Sequence, residues 1–136
     1  MTRLPRRDAP LIAPEAVFGA VVRKPNRLWY LAFGIALAAQ LIAVYAPDGP
    51  AGPQVNGLDK VIHALIFAAP VFAALMVGIR ARWALGILAV HAPVSELIQH
   101  FMLPHRSGDV LDVAADLSGV VLGWWAYVVW TRRQHW

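Results

Sequence analysis

Gly57 to Arg82, GLDKVIHALIFAAPVFAALMVGIRAR, places three ionisable residues, Asp59, Lys60 and His63, at the head of a long apolar run. From Val61 to Ile79 the only non-apolar side chain is His63, giving about 19 residues of hydrocarbon-compatible helix, close to the roughly 20 a bilayer core requires. A helix turns 100° per residue, so Asp59 and His63, four apart, share one face. Ionisable groups at such a boundary suggest function. The structural alternative is that Asp59 caps the helix, Lys60 sits among lipid headgroups and His63 bonds a neighbour.

The rest of the chain repeats this pattern. Leu28 to Ala46 is an apolar run with Gln40 as its one amide; it exceeds the 7 to 15 residues of a signal-peptide core and is expected to be retained. Arg80 to Arg82 is a short turn that makes its flanking helices antiparallel. A third helix is expected from Trp83 to about Leu103 and a fourth from about Asp109 to Trp130, with Pro70 and Pro93 bending the second and third. The fold class expected is all-α, a membrane bundle of four transmembrane helices. A basic tail (residues 1–27) precedes the four-helix domain (28–136), and the motifs fall within 57–127.

Composition agrees. Of 136 residues, 59% are hydrophobic and 15% charged, and the mean hydropathy is +0.55, too apolar for an ordinary soluble domain. The net charge of +4 does not point to nucleic acid, because the basic residues flank the apolar runs. Arg3, Arg6, Arg7, Arg23, Lys24, Arg27, Arg80, Arg82, Arg132 and Arg133 fall on one side, against Lys60 and Arg106 on the other, which places both termini in the cytoplasm. All six tryptophans fall toward the same side. The absence of cysteine excludes disulfides, thiolate metal sites and a cysteine nucleophile.

This topology gathers Asp48, Asp59, Glu96, Asp109, Asp112 and Asp116 at the outer ends of the helices, with His63, Gln99, His100, His105 and Arg106. Glu96 lies about 10 Å below the end of its helix, where an ionised carboxylate cannot face lipid cheaply. Gln99 shares its face, and an ion pair of Glu96 with Arg106 or Lys60 is the structural alternative. Asp109, Asp112 and Asp116 form one stripe, continued by Gly119 and Gly123, whose G-x-x-x-G spacing suits close helix packing or a homo-oligomer contact. Asp109 and Asp112 could simply favour the helix dipole, whereas Asp116 lies deep enough to need a partner. His91, near the middle of the third helix, is expected to bond a backbone carbonyl or another helix.

The order D-K-x-x-H (Asp59, Lys60, His63), E-L-I-Q (Glu96 to Gln99), P-H-R-S (Pro104 to Ser107) and D-x-x-D-x-x-x-D-x-x-G-x-x-x-G (Asp109 to Gly123) resembles the VanZ-like family, typed by the small membrane protein associated with teicoplanin resistance. The resemblance implies a multi-pass protein of the bacterial cytoplasmic membrane whose polar motifs line one site; it brings no established reaction. Asp116 stands where the family more often has Asn, and the loop carries an extra residue between Phe101 and Pro104.

The function expected is binding or modification of a membrane lipid or cell-envelope precursor, with an effect on glycopeptide susceptibility as one outcome. In an acid/base enzyme, Glu96 and His63 would carry protons, with Asp59 orienting His63 and Asp112 and Asp116 in the same catalytic set. Lys60, Gln99, Arg106 and Asp109 would bind substrate, the cations meeting a phosphate or carboxylate. No Ser or Cys nucleophile motif and no cofactor motif is present. A metal site from His63, Glu96, Asp112 and Asp116 is an alternative with suitable ligand types but no H-E-x-x-H spacing, so no metal is assigned. A proton or cation carrier is a further alternative.

Overall fold

The computed structural model describes residues 26–46, 57–103 and 109–134. They form four helices and no strand: α1 (Arg27–Tyr45), α2 (Leu58–Met76), α3 (Ala81–Met102) and α4 (Val110–Arg133). Three of the boundaries have a clear local cause. The Asn26 side chain accepts the Trp29 N–H at 3.2 Å and opens α1. α2 closes with Gly78 at φ +91°, its N–H bonded to the Leu75 carbonyl at 3.1 Å while Ile79 N–H reaches the Ala74 carbonyl at 3.0 Å. That is a Schellman ending, which needs a left-handed residue such as glycine. Asp109 opens α4 by accepting the Leu111 N–H at 2.9 Å.

α1, α2 and α4 (19, 19 and 24 residues) are each long and apolar enough to cross a membrane. α3 has 22 residues and carries Arg82, His91, Glu96, Gln99 and His100 in its sequence. Large apolar side chains face outward on all four helices; Ile42 is 69% exposed, Leu65 61%, Val90 65% and Val121 59%. Such a surface suits lipid rather than water.

α2 and α4 make the most extensive pairing, with α1 packed on α2 and α3 on α4. The cause lies in two glycines. A Cβ on Gly119 would meet the Ala64 carbonyl oxygen at 2.2 Å, and one on Gly123 the Ala68 carbonyl oxygen at 2.4 Å. Only hydrogen at these positions lets α4 lie against the α2 backbone. The stripe whose spacing suited close helix packing or an oligomer contact packs here against α2 of the same chain. Phe67, Val71, Ala74, Leu75, Ala92 and Val120 fill the core between the helices.

The two ends of the bundle differ in chemistry. At one end, Trp29, Phe72 and Trp130 meet edge to face with centroids 5.7 to 6.5 Å apart, joining the start of α1 to the ends of α2 and α4. The opposite end holds the carboxylates, with Lys60 and His63 among them. Pro70 and Pro93 both lie inside helices, as expected.

A candidate functional site at the polar end of the bundle

Three segments supply the site: the first turns of α2, the last turns of α3 and the first turns of α4. Lys60 is its cationic hub. The Nζ lies 3.1 Å from Asp59 and 2.9 Å from Asp109, and also donates to Asp112. Asp112 is only 15% exposed at its side chain, so this pair is drier than the other two.

Asp109 ties α4 to both partners. Its Oδ1 caps α4, its Oδ2 accepts from Lys60, and its own N–H donates to Glu96 Oε2 at 3.0 Å. The Leu111 N–H and the Lys60 ammonium hold the Asp109 carboxyl below the usual aspartate range. Glu96, buried on α3, also accepts from Gln99 Nε2 at 3.2 Å. Among the described residues both of its donors, the Gln99 amide and the Asp109 N–H, are neutral dipoles.

Deeper still, His63 Nδ1 lies 2.9 Å from Asp116 Oδ1, and His63 Nε2 is 3.9 Å from Asp112 Oδ1. Asp116 is completely buried, and its Oδ2 has no hydrogen-bond partner. One donor atom from each of His63, Glu96 and Asp116 falls within a common span of 4.8 Å.

The sequence-derived residues thus converge, with changed pairings. Asp59, expected to orient His63, is 55% exposed and turned to Lys60; Asp116 holds the imidazole instead. Glu96 finds Gln99 and a backbone N–H in place of Lys60. Arg106, His105 and Asp48 lie outside the described residues.

A second polar group was only partly legible. Gln40 Nε2 donates to His91 Nδ1 at 3.4 Å, the Tyr45 hydroxyl lies 2.9 Å from His91 Nε2, and Phe67 stacks on the ring. Gln40 and His91 stood out as polar residues in apolar runs, and His91 does bond another helix. Tyr45 did not stand out, because an aromatic at a helix end is ordinary.

The arrangement can hold a proton between His63 and either carboxylate, and can present negative charge to a cation. Among the described residues, Lys60 is wholly engaged by carboxylates of its own chain. Comparison with family models, with curated proteins and with solved structures finds no match.

Proposed function

We propose that the chain is a VanZ-like protein of the bacterial cytoplasmic membrane that binds or modifies a lipid-linked or cell-envelope substrate at the outer leaflet. In this reading all four helices span the membrane and both termini are cytoplasmic. Support comes from the three membrane-compatible helices, the aromatic cluster at the end the basic residues flank, and the polar cluster at the other.

The observation that carries the reading is the buried His63 and Asp116 pair beside Glu96. Asp116 fixes the orientation of the imidazole, so His63 exchanges a proton through its other nitrogen while Glu96 supplies a second acid/base group within reach. A purely structural pair would not need a third ionisable group converging on it. Substrate recognition falls to Gln99 and to Arg106, since Lys60 is already engaged by Asp59, Asp109 and Asp112. Glycopeptide susceptibility is then a consequence of an altered envelope precursor.

The test is mass spectrometry of envelope lipids and lipid-linked precursors in a strain lacking the gene, complemented with wild type, Glu96→Gln or nothing. One species should accumulate in the empty and Glu96→Gln strains and clear with wild type, at equal protein abundance. If no pool changes, or Glu96→Gln complements fully, the acid/base reading fails.

A further inference from the structure

We propose that His63, Glu96 and Asp116 bind a divalent transition-metal ion, of the zinc class, inside the polar end of the bundle. The first argument is charge. Five carboxylates (Asp59, Glu96, Asp109, Asp112, Asp116) share one ammonium and one imidazole among the described residues. Lys60 is engaged by three of them and sits on their side of the cluster; among the described residues Asp116 is hydrogen-bonded by the His63 imidazole, and Glu96 by Gln99 and the Asp109 backbone N–H. Two buried carboxylates beside one imidazole leave negative charge where a bilayer offers no counter-ion.

The second argument is the orphaned atom. Asp116 is 0% exposed, and its Oδ2 has no partner, although buried polar atoms are nearly always satisfied. A metal ion supplies the missing partner and the missing charge together. The third is donor geometry. Donor atoms of the three residues already lie within 4.8 Å of one another. Ligand atoms about 2.1 Å from a tetrahedral ion stand about 3.4 Å apart, so small side-chain rotations suffice.

The donor set also selects the ion. One imidazole with two carboxylates suits zinc, iron or nickel better than magnesium or calcium, which prefer oxygen alone. Three protein ligands leave a position open for water or a substrate oxygen. An anionic headgroup, which five carboxylates would repel, would then have a cation to meet. The inference rests on this cluster being the functional site named above and, with the ion bound, makes His63 and Glu96 its ligands rather than proton carriers; metal content is measured without substrate, so its failure is told apart from failure of the acid/base reading.

The test uses the full chain purified in detergent, stripped with chelator, reloaded with Zn²⁺ and dialysed, with metal counted by inductively coupled plasma mass spectrometry and affinity by calorimetry. The expected result is one zinc per chain. His63→Ala and Asp116→Asn should each lower affinity by about 100-fold or more, while His100→Gln, an exposed histidine outside the cluster, changes nothing. X-ray absorption at the zinc edge of loaded wild type gives a readout independent of variant folding: one imidazole among oxygen neighbours. No zinc retained, zinc unaffected by either variant, or a zinc shell without imidazole each overturns the proposal.

Discussion

Asp116, fully buried on α4, holds His63 of α2 at 2.9 Å through Oδ1 and leaves Oδ2 unpaired. One carboxylate thus does two separable things: one oxygen orients an imidazole, and the other carries charge with no partner. Asn at this position, the residue the VanZ-like pattern more often has, would keep an oxygen for the imidazole N–H and lose the second anionic oxygen.

The two roles separate by substitution. Asp116→Asn should lose less substrate clearance than Asp116→Leu, because the amide oxygen still orients His63. Asp116→Leu removes the acceptor and should lower clearance by about 10²- to 10⁴-fold, the scale of a lost acid/base group. Rate of precursor clearance in complemented cells, normalised to protein abundance, checks both. Equal loss in the two variants would mean that charge, not orientation, matters.

Gly119 should be among the least replaceable residues of the chain. Its added Cβ would meet a backbone carbonyl oxygen that cannot rotate away, so Gly119→Ala must push α4 from α2. Overpacking of this kind costs about 1 to 3 kcal/mol. Gly86, with nothing within 4 Å of its added Cβ, is the comparison. Gly86→Ala should be neutral or stabilising by up to about 1 kcal/mol, because alanine is the better helix former. Thermal unfolding in detergent measures both, and a larger loss at Gly86 would contradict the packing described.

The same glycines explain how much of the site was legible. Periodicity within one helix put Asp59 beside His63 and Gln99 beside Glu96, and the second pair is real. The first yielded to a contact between helices, Asp116 with His63, which depends on how α4 is rotated against α2. That rotation was encoded in the stripe shared by Asp116, Gly119 and Gly123. Because the glycines of that stripe lie against α2, Asp116 one turn earlier faces α2 as well. Helix positions were legible because apolar run length and breakers are local. The triple engagement of Lys60 was not, because Asp109 and Asp112 reach it from residues about 50 positions away in the chain.

Lys60 should matter for stability more than for ligand binding. Lys60→Met leaves Asp112, 15% exposed, without its cation, and a charged acceptor stranded in this way costs about 1 to 3 kcal/mol. Adding Asp112→Asn should recover part of the loss, since the charge that needed Lys60 is gone. A double-mutant cycle in detergent measures the coupling. Strict additivity of the two changes would show that the contact carries no energy.

Asp109 gives the site a predictable acid response. Its carboxyl is held below the ordinary value of 3.8 by the Leu111 N–H and Lys60. A group with a folded-state pKa below its unfolded one stabilises the fold fully above the unfolded value and loses that contribution as pH falls through the folded one. Asp109→Asn can still cap α4 but cannot pair with the ammonium. Wild type should therefore be the more stable of the two at pH 7, and the gap should narrow only below about pH 3.8, when Asp109 takes up a proton. Paired thermal unfolding curves at pH 7, 5 and 3 decide it. A gap already closed at pH 5 would mean that the Asp109 carboxylate gains nothing from Lys60 and that the cap alone accounts for its place at the head of α4.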